Sequence, residues 1–285
     1  MDKNISIITP AYRANDTIAR AARSVVGQTH QHWEWIIVGD DPLDYEAVLG
    51  RAGILDDRFR FLSTGENGSG SPPARNIGID AAQYRYSAIL DADDFMHEEK
   101  LTRAMQHLPD HGIVSCALAV TSNTLEPLRS VAEGSDRTLL ARDYKFVNFS
   151  GDSMLVYDRQ KADPRFNPEF PCLTDIEFAL KLFAVNESCF HLGTPLHSYV
   201  KEPSSISNKP GASLKMIETK KRLLEALGSG QYPLADSQAV ASMMRFYELS
   251  LDAERGFETK LKAQPGILFE DHLEPKLRSA ISSSR

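Results

Sequence analysis

Cysteine is scarce in this chain, with Cys116, Cys172 and Cys189 the three among 285 residues. An odd number without paired ligand spacing argues against a disulfide framework or a zinc site, and predicts a reducing, cytoplasmic compartment. Cationic side chains are also short. Lysine and arginine total 32 against 39 acids, for a net charge of -7. That balance excludes broad nucleic-acid binding, which needs clustered cations to displace phosphate counterions. An anionic ligand must therefore be met by a few local cations. No apolar run approaches the roughly 18 residues of a membrane span, and the N-terminus lacks the charged-then-apolar pattern of a signal peptide. Peripheral contact with the inner face of a membrane stays open. There is no internal repeat, low-complexity tract or Gly-Lys-Ser/Thr phosphate loop. The 42% hydrophobic content supports an ordinary globular core, in one large domain or a domain with an appendage.

Strand and helix signals alternate through the first hundred residues. Ile5–Ile8, Trp35–Val38, Arg58–Leu62 and Ser87–Leu90 read as strands, and a helix with Ile18, Ala21, Ala22, Val25 and Val26 on its apolar side follows the first, capped by Asn15 or Asp16. Such alternation predicts an α/β fold with a mostly parallel sheet covered on both faces. Ligands of open sheets gather beyond the carboxyl ends of the strands, where Tyr12, Asp40 and Asp91 to Asp94 all fall. A fifth strand near 113–121, a strand at 152–157 and a helix at 174–185 follow. The Ser, Pro, Asn and Gly of 204–211 mark a loop or boundary, and 214–227 and 237–254 read as helices.

Several residues carry chemistry, each with a plainer alternative. Ile89-Leu90 runs into Asp91-Ala92-Asp93-Asp94, and carboxylates this close repel unless a cation relieves them. An Asp-x-Asp at a sheet edge suits a divalent metal on a diphosphate; solvated acids opening the helix through Glu98 to Leu101 fit equally well. Asp40 is suited to accept from a nucleobase ring N–H, and Asp41 before Pro42 to cap a helix. Tyr12, after Thr9-Pro10-Ala11, can stack on a base or simply pack. Arg75, on a helix announced by Ser71-Pro72, offers a planar fork to a diphosphate or a solvated surface charge. Asp175 is either a helix-start acid or a general base, with Glu177 as understudy. His97, His191 and His197 show no two-ligand spacing and read as structural or solvated.

Taken together, these segments resemble the family 2 glycosyltransferases of the GT-A fold, over about residues 3 to 210. The resemblance rests on Ile5-Ser6-Ile7-Ile8-Thr9-Pro10-Ala11-Tyr12, on Ala22 to Thr29 with Trp33 to Val38, and on two more specific motifs, Pro73-Ala74-Arg75-Asn76-Ile77-Gly78-Ile79 and Ile89-Leu90-Asp91-Ala92-Asp93-Asp94. It implies a GT-A, Rossmann-like domain over 1–210, with a nucleotide-sugar half to about 115, an acceptor half over 116–210, and a helical appendage over 211–285. It implies that Pro10, Tyr12, Asp40, Arg75, Asp91 and Ala92 bind the nucleotide-sugar, most simply a UDP-sugar. Asp93 would hold Mn²⁺ or Mg²⁺, and Asp175 would act as base in an inverting transfer to a saccharide or lipid-linked acceptor. Polysaccharide, lipopolysaccharide or glycolipid assembly is the implied setting. Self-association through the helices beyond residue 211 stays open.

Three departures from the family pattern are visible. Gly39 precedes Asp40 where a second acid is common, and Thr174 stands beside Asp175 in place of a glutamate. In Tyr199-Val200-Lys201-Glu202-Pro203-Ser204-Ser205-Ile206-Ser207 the usual histidine is Glu202. Glu202 as an oxygen ligand, Lys201 as a phosphate contact and a plain loop are the three readings. The altered segment keeps a binding or scaffold protein without catalysis as the alternative. A nucleotidyltransferase is less well supported, because Thr9-Pro10-Ala11-Tyr12-Arg13 is no glycine-rich phosphate loop.

Overall fold

The computed structural model describes residues 3–150, 154–201 and 212–282. Among them, ten strands form one mixed sheet, with the order β3-β2-β1-β4-β9-β6-β10-β5, β7 on β6 and β8 on β10. The first four strands are β1 (Ile5–Ala11), β2 (Trp33–Gly39), β3 (Phe59–Ser63) and β4 (Tyr86–Ile89), all mutually parallel. Helices α1 (Ile18–Val26), α2 (Tyr45–Arg51) and α3 (Ser71–Ala81) connect them. The short β5 (Phe95–Met96), α4 (Lys100–His111), β6 (Ile113–Ser122), β7 (Pro127–Val131), β8 (Arg137–Leu140) and α5 (Ala141–Val147) come next. Then follow β9 (Val156–Asp158), α6 (Thr174–Phe183) and β10 (Ser188–Lys201). Strand β9 runs antiparallel to both β4 and β6, so one reversed strand divides the parallel halves. The predicted α/β architecture is the observed one.

Strands β1 and β2 are buried along nearly their whole length, as expected of parallel strands covered on both sides. On one face Ile5, Ile7, Trp35 and Ile37 pack with Ile18, Ala22 and Val25 of α1 and Leu101 and Leu108 of α4. On the other, Ile8 and Ile89 share a core with Phe178 and Leu182 of α6. Helix α3 lies so close to β1 that a Cβ on Gly78 would stand 2.4 Å from Ile8 Cγ2. A glycine is needed there to seat the helix that carries Arg75.

The second core continues into α7 (Ala212–Gly228), α8 (Ala239–Ala263) and α9 (Phe269–Ser282), through Leu223, Met243, Phe246, Leu273 and Leu277. The C-terminal helices thus complete the layer that covers the sheet. Some local expectations are corrected. Asp44, not Asp41, caps α2, its carboxylate accepting from Ala47 N at 2.9 Å. The Asp41 carboxylate accepts instead from Leu43 N and Tyr45 Oη, each at 3.0 Å, and from Arg13 N. Thr17 occupies the α1 cap position, without a side-chain bond, in place of Asn15 or Asp16. The strand expected from residue 152 is described only over Val156–Asp158, and residues 152–153, Glu202 and the 204–211 segment lie outside the described residues.

Candidate active site

Strands β1, β2 and β4 deliver their carboxyl ends side by side. Ala11 is in register with Gly39, and Leu90 N donates to Ile8 O at 3.0 Å just beyond β4. Asp40 N donates to Ala11 O at 2.8 Å, so Tyr12 and Asp40 leave the sheet as neighbours. Pro10, next to last in β1, is half-buried, whereas Tyr12 is 44% exposed, with the Arg13 guanidinium 5.0 Å from its ring centre. An open aromatic face beside a sheet edge is suited to stacking.

Asp40 is only 2% exposed, and both oxygens are engaged by the loop before α3. One accepts from Thr64 Oγ1 at 2.8 Å, Ser69 N at 3.0 Å and Ser69 Oγ at 2.6 Å; the other accepts from Gly70 N at 2.8 Å. Burial alone would raise its pKa, but these donors outweigh it and hold the carboxyl below its ordinary value. A base N–H reaching this carboxylate would have to displace or share one of the four. The same loop carries Gly68, whose absent Cβ would lie 3.5 Å from Tyr12 Oη.

Arg75 is the hub. It is 6% exposed, donates to Asp91 Oδ1 at 2.6 Å and to Thr174 Oγ1 at 3.5 Å, and stands 4.9 Å from the centre of the Phe166 ring. Burial would lower its pKa; the charges of Asp91, Asp175 and Asp93 more than reverse that. Three predicted acids from two distant segments therefore bear on one guanidinium, Asp91 in direct contact and Asp93 and Asp175 through their charge, and its Nε has no hydrogen-bond partner among the described residues. Asp175, half-buried in the first turn of α6, is brought there by Leu173, which enters the helix with a left-handed φ of 57°. Glu177, by contrast, is fully buried and accepts from Tyr232 Oη at 2.6 Å and Lys181 Nζ at 2.7 Å.

The acids themselves form a tight turn, Asp94 N donating to Asp91 O at 3.1 Å, with Ala92 buried inside it. Arg20 of α1 donates to the Asp93 carbonyl. Asp94 is 2% exposed and accepts from Val200 N at 2.9 Å. Its other oxygen lies 3.3 Å from His197 Nε2, and His197 Nδ1 lies 2.8 Å from Lys100 Nζ. Burial, then the charges of Asp93 and Asp91, push the Asp94 carboxyl well above its usual range; burial and Lys100 hold His197 well below its own. His197, read in the sequence as structural or solvated, is buried beside the acidic turn; its link to Asp94 and Lys100 was not foreseen, since nothing local marks a contact spanning 103 positions.

Among the described residues no three His, Cys, Asp or Glu side chains are grouped to hold a metal ion. Asp94 accepts from β10, Asp91 pairs with Arg75, and Asp93 is half-buried in the turn, the acid that the resemblance gives to the metal. One carboxylate fits Mg²⁺ or Mn²⁺ whose shell is completed by diphosphate and water oxygens, and does not fit an all-protein cage. Lys201 Nζ is engaged by Glu270 Oε1 at 3.0 Å.

An exposed tyrosine, a buried arginine and an acidic turn thus meet beyond the carboxyl ends of parallel strands, the edge where open α/β sheets gather ligands. Residues 6–162 match the family model of glycosyl transferase family 2, more than half of the chain, and the protein belongs to that family. It is 38% identical over 122 residues to the putative teichuronic acid biosynthesis glycosyltransferase TuaG of Bacillus subtilis, covering 42% of this chain and 47% of the relative. It is 37% identical over 100 residues to the UDP-Glc:alpha-D-GlcNAc-diphosphoundecaprenol beta-1,3-glucosyltransferase WfgD of Escherichia coli, covering 35% of this chain and 39% of that protein. The chain thus spans less than half the length of either curated relative. In fold it is similar to S. aureus TarS 1-349 in complex with UDP-GlcNAc, with TM-score 0.68, 15% identity, and 98% and 80% of the two chains covered. The mannosyltransferase PcManGT of Pyrobaculum calidifontis with GDP-Man and Mn2+ gives 0.58 at 14% identity, over 98% and 79%. The fold is GT-A.

Proposed function

We propose that the protein transfers a sugar from a nucleoside-diphosphate donor to an acceptor hydroxyl, with inversion at the anomeric carbon. The observation that carries this reading is the convergence of Asp91, Asp93 and Asp175 on Arg75 at the carboxyl edge of the sheet. The nucleoside would stack on Tyr12 beside Pro10 and Asp40, with the ribose at Asp91 and Ala92 and the diphosphate before Arg75. Asp175 removes the acceptor proton as its oxygen attacks the anomeric carbon; the carbon–oxygen bond to the diphosphate breaks, and its electron pair leaves with the diphosphate. Charge grows on that leaving group, and Arg75 is already desolvated and positioned to stabilise it. Asp93 would hold Mn²⁺ or Mg²⁺, which when bound supplies Lewis-acid neutralisation of the same oxygens.

A UDP-sugar is the donor favoured by the family resemblance and by the ligands of TarS. The names of TuaG and WfgD support a saccharide or lipid-linked acceptor in cell-surface polymer or glycolipid assembly. Among the described residues no helix is long and apolar enough to cross a membrane, so an acceptor in a bilayer would be reached from its surface.

The test is a screen of nucleotide-sugars for thermal shift and hydrolysis, with and without Mn²⁺ or Mg²⁺, on wild type and Asp93→Ala. A UDP-sugar should raise the melting temperature more with metal than without, and Asp93→Ala should abolish the difference. A shift unchanged by Asp93→Ala and by chelator would overturn the metal role. Tight donor binding without turnover on any acceptor or water would favour the scaffold alternative.

A further inference from the structure

The third acid of the turn has no part in the chemistry just described, yet it is the most elaborately held. Asp94, His197 and Lys100 are 2%, 1% and 1% exposed, and form a continuous chain from the acidic turn through β10 to the first turn of α4. Lys100 Nζ meets His197 Nδ1 at 2.8 Å and His197 Nε2 meets Asp94 at 3.3 Å; an ammonium at Lys100, which can only donate, places the neutral imidazole's hydrogen on Nε2, facing Asp94. The other Asp94 oxygen accepts from Val200 N. Pairing of β5 with β10, Met96 opposite His197 and Phe95 opposite Ser198, brings Asp94 level with that part of the strand. Taking two charges out of water is costly, and apolar replacements of buried pairs are often as stable. Stability alone is therefore a weak account of the chain.

We propose that Asp94, His197 and Lys100 are positioning residues for the donor site, which clamp the acidic turn to β10 and so fix where Asp93 meets a diphosphate-bound metal. The turn is short, and three grips define it: Arg75 on Asp91, Arg20 on the Asp93 carbonyl, and this chain on Asp94. Without the third grip, like-charge repulsion among Asp91, Asp93 and Asp94 drives the turn outward. Partners of this kind behind a ligand govern affinity without touching the metal.

The proposal rests on the metal role of Asp93, and the experiment separates the two. Mn²⁺ is titrated by electron paramagnetic resonance with UDP present, on wild type, His197→Leu, His197→Gln and Lys100→Met, each checked for a cooperative thermal transition. His197→Leu should weaken Mn²⁺ binding about 10- to 100-fold. His197→Gln, whose amide nitrogen takes the place of Nε2 and still donates to Asp94, should recover most of that loss. Lys100→Met removes the group that holds His197 Nδ1 and should weaken Mn²⁺ binding in the same direction; it serves if His197→Leu fails to fold. Equal losses for leucine and glutamine, or unchanged affinity in His197→Leu and Lys100→Met, would overturn the clamp alone. No UDP-dependent Mn²⁺ binding in wild type would overturn the clamp and the metal reading together.

Discussion

Two buried cations hold this molecule together in different ways. Lys220, on α7, is enclosed: it donates to Glu254 Oε2 at 2.6 Å and to Ser250 O at 3.4 Å, lies 4.5 Å from the Phe269 ring centre, and its partner also accepts from Ser213. Arg75 is buried as deeply but incompletely served. It has one short bond to Asp91, a carboxylate still 26% exposed, a long one to Thr174, and a donor without a partner. The C-terminal pair is closed, joining α7, α8 and α9. The sheet-edge pair keeps capacity in reserve, at the cost of an unsatisfied polar atom. Spare hydrogen-bonding capacity, more than charge itself, separates Arg75 from Lys220.

The comparison can be broken at several depths. The largest expected effect is kinetic: Asp175→Asn should lower turnover by about 10² to 10⁴ while leaving donor affinity near wild type, measured by initial rates and by calorimetric titration. Near-normal turnover would remove Asp175 as the base. Next are matched deletions of the two cations, Arg75→Met and Lys220→Met. Each leaves a carboxylate unpaired and should cost about 3 kcal/mol in urea unfolding. Only Arg75→Met should also abolish UDP binding, and a similar loss in Lys220→Met would erase the contrast between the two regions.

Smaller effects concern how the C-terminal helices are held. The buried Glu270 is pushed up by desolvation, but the charge of Lys201 and the bonds from Lys201 and Ser150 outweigh it; Glu274 is likewise held low by Arg278 and Arg129. Carboxyls with folded pKa values below about 4.5 stabilise the protein above that pH and lose the contribution as pH falls through the folded values. The urea midpoint should therefore decline below pH about 4.5, and Glu270→Gln should flatten the decline. The smallest effect is at the α2 cap, where Asp44→Ala should cost about 1 kcal/mol and leave donor binding unchanged.

The N-terminal strands and the start of α3 were readable because their signals are local. Continuous apolar runs ending in polar residues marked β1, β2 and β4, and Ser71-Pro72 marked the start of α3. Strand β10 was not recognised, since Gly193 and Pro195 break its pattern; in the structure the register shifts between Leu192 and Pro195 and again before His197. Helix α9, with Pro275 inside it, falls within the expected helical appendage but was not singled out as a helix of its own. Asp41 and Asp44 are indistinguishable as caps from composition, and the Tyr45 hydroxyl, by drawing in Asp41, decides between them. The chain Asp94, His197 and Lys100 was invisible because its members meet only through tertiary pairing.

That pairing has a consequence for biosynthesis. A chain made from its N-terminus carries the acidic turn out well before the strand that clamps it, and 103 positions separate Asp94 from His197. At about 5 to 20 residues per second, that interval lasts roughly 5 to 20 s. Throughout it, Asp91, Asp93 and Asp94 sit beside an incomplete sheet, with β10 and, at first, α6 still to come. The clamp proposed above can therefore form only once β10 closes between β6 and β5.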